Sequence, residues 1–144
     1  MNSLQAFAAL TILGGVGSAL GAGTSMLPAE QHQGSVAYLT GGVGKREAQA
    51  FKQAAGRFPL ALEFVERPGK GKHDEFVAGV DVKLIDPHGK TVLSTKSDGP
   101  YLLARVPSGR YTVAASYDGK SLKRPVDVKP NATHPVVLEW KHSA

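Results

Sequence analysis

The stretch 97–120, SDGPYLLARVPSGRYTVAASYDGK, constrains the fold more than any other part of the chain. It holds two apolar runs, 101–106 and 110–117, joined by the turn residues Pro107-Ser108-Gly109. In the second run apolar residues fall at every other position, which is the period of a strand with one buried face. Asp118-Gly119 is the strongest hairpin signal in the chain. The stretch therefore predicts two strands with their turns, and its glycines, including Gly99, are interpreted as turn residues.

The flanking sequence predicts further short strands. Asp86-Pro87-His88-Gly89 has the composition of a β-turn, and Pro125 favours an edge strand or a bulge because proline has no N–H. Six strands with near-regular turns predict an antiparallel sandwich or a partly closed barrel over 76–140. The strands not yet named are predicted at 80–85, 91–95, 122–128 and 136–140.

A shorter α/β segment precedes these strands. Residues 35–39 and 60–65 predict strands, and 45–55 predicts a helix whose apolar residues, centred on Phe51, recur at helical spacing. Gly56 and Pro59 favour the end of that helix. The unit 34–75 is thus predicted to be a strand, a helix and a strand. The sequence leaves open whether its strands join the sandwich or pack beside it.

The glycine-rich turn before the helix has two interpretations. Backbone N–H groups at a helix start attract phosphate, and Gly44-Lys45 resembles part of a nucleotide-binding loop. That motif needs four residues between its first glycine and Gly-Lys, followed by Ser or Thr. Here two residues separate Gly41 from Gly44, and Arg46 follows. The residues favour a tight turn that leads into the helix.

The first residues predict export from the cytoplasm. Residues 4–23 carry no charge and end in small residues, the pattern of a secretory signal peptide. The run approaches the ~20 residues that span a bilayer, so an uncleaved anchor is the alternative. We predict a signal peptide at 1–23, a linker at 24–33 and an extracytoplasmic location, periplasmic or secreted. No stable membrane span is expected after signal cleavage. The chain has no cysteine, which excludes disulfides and thiolate chemistry.

Three motifs in the strand region carry a resemblance to a known family. They are Asp86-Pro87-His88-Gly89, Ser97-Asp98-Gly99-x-Tyr101 and Val106-Pro107-x-Gly109-x-Tyr111-Thr112-Val113. Together they resemble the carboxypeptidase regulatory-like domain. Ser97 stands where that family usually has Thr. The resemblance covers about 76–140 and implies a transthyretin-like (prealbumin-like) β-sandwich of Greek-key type. Together with the α/β segment, the expected fold is mainly β, with one short α-helix in an N-terminal strand-helix-strand addition (34–75) and a tail at 141–144. Domains of this family are usually non-catalytic accessory or binding modules of secreted and envelope proteins.

The sequence offers few residues for catalysis. The histidines all fall in predicted loops or tails without metal-ligand spacing. The chain ends Trp140-Lys141-His142-Ser143-Ala144, without the Tyr-Arg-Gly-Ser signature of transthyretin-like hydroxyisourate hydrolases. We therefore predict no catalytic, cofactor-binding or metal site and favour a non-enzymatic role, with a small hydrolase of the same fold as an alternative. The five histidines are His32, His73, His88, His134 and His142.

The charge of the chain allows one further alternative. The net charge is +5, and basic residues concentrate at 67–72 and 120–124. No aromatic-interleaved basic stripe supports a specific nucleic-acid partner. The expected partner is an unidentified envelope protein or an anionic polymer, and a polymer binder needs its cations on one face. The candidate anion-binding residues are Lys70, Lys72, Lys120, Lys123 and Arg124.

Overall fold

The computed structural model describes residues 26–69 and 73–141, which form two β-sheets packed face to face and one α-helix. The predicted fold class, a mainly β sandwich with one short helix, is confirmed. The predicted signal peptide lies outside the described residues. Helix α1 spans Lys45–Ala54 and continues as a 3-10 turn over Ala55–Arg57. The strands are β1 (Gln31–Gln33), β2 (Val36–Gly41), β3 (Leu60–Arg67), β4 (Glu75–Phe76), β5 (Asp81–Ile85), β6 (Thr91–Lys96), β7 (Tyr101–Arg105), β8 (Gly109–Tyr117), β9 (Lys120–Val128) and β10 (His134–Lys141).

The first sheet has the strand order β1-β2-β7-β3-β10, with β4 paired to the far end of β3. Strands β2 and β3 are both antiparallel to β7, which lies between them, and β10 is parallel to β3. The crossover through α1 therefore leaves a gap one strand wide, and β7 fills it. Both strands of the α/β segment join the sandwich, which answers the question that the sequence left open.

The second sheet has the order β6-β5-β8-β9 and is antiparallel throughout. Strands β8 and β9 form the predicted hairpin at Asp118 and Gly119, whose φ angles of 51° and 75° are those of a type I′ turn. Strand β9 is an edge strand, as Pro125 predicted. Turn chemistry near the hairpin thus determined the local structure.

The first sheet is buried on both faces at its centre. Its inner face packs against the second sheet around side chains such as Phe64, Leu102 and Leu138, all fully buried. Its outer face carries a second apolar cluster beneath α1. Because β7 is covered on both sides, its residues 101–104 are all buried, which explains a continuous apolar run where an exposed strand would alternate. The outer cluster consists of Leu39, Phe51, Ala54, Phe58, Tyr101 and Leu103.

The prediction that every histidine lies in a loop or tail is wrong for two of the four described ones. His32 lies in β1, and His134 begins β10. Strand β1 is a three-residue edge strand that is held by its pairing with β2. Its residues show no apolar alternation, so the sequence pattern did not predict it. His73 and His88 are exposed and lie outside the strands. Among the described residues, no helix has the length and apolar character needed to cross a membrane.

Candidate functional site

A groove of about 420 Å³ lies on the outer side of the first sheet, between α1 and the segment that follows β4. We call it the helix groove. Residues 42–44 of the glycine turn also line it, and residues 100–101 form its floor beside the helix. Its volume is within the range of small-molecule sites. The lining residues are Gly42, Val43, Gly44, Lys45, Ala48, Lys52, Phe76, Val77, Ala78, Pro100 and Tyr101.

Helix α1 supplies one wall of the helix groove. Lys45, Ala48 and Lys52 are spaced by three and four residues, so they share one face of the helix. Phe51 and Ala54 are buried against the sheet instead. Both lysines are exposed, and the small Ala48 between them leaves space above the floor. This wall therefore presents two ammonium groups, and none of the lining residues is acidic.

Tyr101 forms the apolar floor of the helix groove. Its ring stacks on Phe51 with a centroid distance of 5.8 Å and lies 6.0 Å from the ring of Phe76. The hydroxyl is buried and has no hydrogen-bond partner among the residues that the structure describes. Burial, and secondarily the negative charge of Glu63, raise the pKa of Tyr101. The hydroxyl therefore keeps its proton at neutral pH.

Two tyrosines should respond in opposite directions to loss of the hydroxyl. Tyr101→Phe should raise the free energy of unfolding by about 1 kcal/mol, because it removes a buried polar group without a partner. Tyr111→Phe should lower it by about 1 kcal/mol, because the Tyr111 hydroxyl donates a 2.8 Å bond to the carbonyl of Pro107. Urea unfolding of both variants measures the difference. Two changes of the same sign would contradict this account of the Tyr101 hydroxyl.

The glycine turn already contains a carboxylate. Glu47 Oε1 accepts hydrogen bonds from the backbone N–H of Gly42 at 2.7 Å and of Val43 at 3.2 Å. The position at which a phosphate would meet these N–H groups is therefore filled by the chain itself. The turn also lies directly on the floor, since a Cβ on Gly42 would overlap the ring of Tyr101. These contacts support the interpretation of a tight turn that leads into α1.

The described members of the predicted basic site do not share a face. Side chains alternate along β9, so Lys123 lies on the outer face of the second sheet while Lys120 and Arg124 lie on the other side of the strand. Lys120 Nζ donates to the carbonyl of Lys141 at 3.3 Å, and Arg124 Nη1 donates to the carbonyl of Lys123 at 3.2 Å. The other two predicted members, Lys70 and Lys72, lie outside the described residues.

Strand order gives Lys123 a neighbour that the sequence did not indicate. Ala114 of β8 pairs with Lys83 of β5 on one side and with Lys123 of β9 on the other. The two lysines therefore flank a small residue on the exposed face of the second sheet. Sequence reasoning missed Lys83 because β5 and β9 are distant in the chain and are brought together by β8.

Two further concavities lie at the end of the sandwich near the 3-10 turn. One, of about 460 Å³, is lined by Arg57 and Lys129, and the other, of about 420 Å³, by Arg57 and Arg105. The guanidinium of Arg105 is held in place: it lies 4.2 Å above the Phe58 ring, donates to the carbonyl of Arg57 at 3.1 Å and pairs with Glu30 at 3.6 Å. We therefore assign Arg105 to holding the chain before β1 against the 3-10 turn.

The described histidines and acids do not form a metal site. Within residues 26–69 and 73–141, no three of these side chains come together in a way that could hold a metal ion. The ring of His134 forms a hydrogen bond through Nδ1 with the carbonyl of Asp127 at 3.1 Å, which links the start of β10 to the end of β9.

Comparison with known proteins gives the chain no family: no family model matches it, and no curated protein matches it.

Proposed function

We propose that this chain is a non-catalytic binding module of the cell envelope, secreted or periplasmic, that holds its ligand in the helix groove. The observation that carries the proposal is the exposure of two apolar side chains at that groove. Phe76 is 55% exposed and Val43 is 65% exposed, and both border the floor formed by Tyr101. Apolar side chains grouped in a concavity are typical of a binding surface.

The lining groups are suited to binding. Covering the exposed ring of Phe76 removes apolar surface from water, which is favourable by about 25 cal/mol per Å². Lys45 and Lys52 add positive charge, and Tyr101 offers a rigid aromatic floor. The ring of Tyr101 is packed against the rings of Phe51 and Phe76. The floor therefore loses little conformational entropy when a ligand binds.

The location and the family remain part of the proposal. The uncharged run at 4–23 supports export, and the motif around 97–113 supports a carboxypeptidase regulatory-like domain of transthyretin-like, Greek-key type. The hydrogen bond from Tyr111 to Pro107 gives a physical reason for that motif, because it ties the strand to the turn before it. Such domains usually bind or assemble with other envelope components.

Binding of a neutral apolar fluorophore, N-phenyl-1-naphthylamine, tests the proposal. Phe76→Ser should weaken binding about tenfold, because a ring that contacts the probe is lost. Val137→Ser is the matched control: Val137 is 54% exposed on β10, outside the helix groove, and its loss should leave binding unchanged. No binding by the wild-type protein, or equal binding by the two variants, would overturn the assignment of the site.

An anionic envelope polymer is the second candidate ligand. The observation that favours it is the row Lys83, Ala114 and Lys123 on the exposed outer face of the second sheet. A polymer held there would bind with an affinity that falls steeply with salt, whereas binding of a neutral probe in the helix groove would not.

A further inference from the structure

The charged residues that line the helix groove are all positive. Lys45 and Lys52 both lie on the wall formed by α1, and no lining residue is acidic. Glu47, the acidic residue of the same helix, has its carboxylate bonded to the N–H groups of Gly42 and Val43. Glu63 lies on the outer face beside Tyr101 but is not a lining residue. The groove therefore favours a negative group at the α1 wall, away from Glu63.

The spacing of the two lysines suits one small anion. Seven residues along a helix separate their Cα atoms by about 10 Å. Lysine side chains are long and flexible, so both ammonium groups can reach one carboxylate held above Ala48.

The rest of the groove is apolar and small. Phe76 and Val43 are exposed above the ring of Tyr101, and the volume of about 420 Å³ suits one small molecule rather than a folded partner. We infer that the helix groove binds a single-chain amphipathic carboxylate, with its head between Lys45 and Lys52 and its apolar chain against the exposed side chains of Phe76 and Val43. This inference rests on the proposed function, which makes this groove the ligand site.

Displacement of the bound fluorophore by three compounds with a ten-carbon chain tests the head group. Decanoate should displace the fluorophore from the wild-type protein at a concentration about fivefold lower than decanol, because two exposed lysines each contribute modestly. Decyltrimethylammonium should be the weakest of the three. In Lys45→Gln/Lys52→Gln the advantage of decanoate over decanol should disappear.

The control is Lys90→Gln/Lys123→Gln, which removes the same charge from exposed lysines outside the groove and should keep the preference for decanoate. Equal displacement by decanoate and decanol in the wild type overturns the inference and leaves the proposed function standing. Failure of the fluorophore to bind overturns both. Phe76-dependent binding to phosphatidylglycerol vesicles without displacement by decanoate would assign the groove to a membrane surface and overturn the single-molecule ligand.

Discussion

Gly99→Ala should lower the free energy of unfolding by about 3 kcal/mol or more, a large share of the stability of a small domain. A Cβ at residue 99 would overlap the backbone carbonyl of Gly41 and lie 2.9 Å from its Cα. The atoms in the way belong to the end of β2, where Gly41 pairs with Tyr101 of β7, so relief requires a backbone shift. Urea unfolding followed by fluorescence of the single tryptophan measures the loss.

Several bonds make such a shift costly. The hydroxyl of Thr40, which is buried, accepts a bond from the N–H of Asp98 at 3.1 Å and donates one to the carbonyl of Tyr101 at 2.8 Å. These bonds hold the segment around residue 99 against β2. Moving the two backbones apart would break these bonds and leave the buried hydroxyl of Thr40 without a partner, which typically costs about 1–3 kcal/mol, on the order of the effect expected.

Gly56→Ala is the matched control for this substitution. Neither glycine has a left-handed φ, and a Cβ at residue 56 would meet no heavy atom within 4 Å. Its free energy of unfolding should stay within about 0.5 kcal/mol of the wild type, or rise slightly because alanine restricts the unfolded chain. A Gly99→Ala protein as stable as Gly56→Ala would show that the backbones of Gly99 and Gly41 are not in contact.

Phe51→Ala should lower the free energy of unfolding by about 3–5 kcal/mol, the usual cost of removing a fully buried phenylalanine. Phe51 lies at the centre of the outer cluster and stacks on Tyr101, so its loss leaves a cavity between α1 and the first sheet. Because α1 forms a wall of the helix groove, binding of the neutral fluorophore should weaken as well. Urea unfolding and fluorophore titration measure the two effects.

Lys52→Ala is the control for the packing argument. Residue 52 is the next position in α1 and is exposed, and alanine is a good helix former, so stability should change by less than about 0.5 kcal/mol. A Phe51→Ala protein that loses no more than Lys52→Ala would mean that α1 is not packed on the sheet through this ring.

The sequence predicted the elements where chemistry is local. The hairpin at Asp118-Gly119, the edge position of Pro125 and the helix around Phe51 each follow from residues that are close together in the chain. Gly99 shows the limit of this reasoning. It lies in a bend between β6 and β7, in line with its interpretation as a turn residue, but the structure adds a close approach to the backbone of Gly41, which is 58 positions away.

The candidate site was not predictable for the same reason. Its α1 wall comes from residues 45–52, its opposite wall from 76–78 and its floor from 100–101. In the sequence the glycine turn resembles part of a nucleotide-binding loop. In the structure the carboxylate of Glu47 occupies the position that an anion would take, and no spacing rule indicated this contact. The predicted cations on β9 lie close together in the sequence. Because side chains alternate along a strand, Lys123 lies on the opposite face from Lys120 and Arg124.

By itself the sequence determined which longer segments become strands, helix and turns, because periodicity and turn chemistry act over a few residues. The short strands β1 and β4 were not predicted, because they are too short to carry a periodic pattern. Only the tertiary structure decided that β7 lies between β2 and β3, so that the centre of the first sheet is covered on both faces. The physical reason is that many short apolar strands can pair with one another almost equally well. Their order is decided by the packing of the whole chain, and that order creates the helix groove.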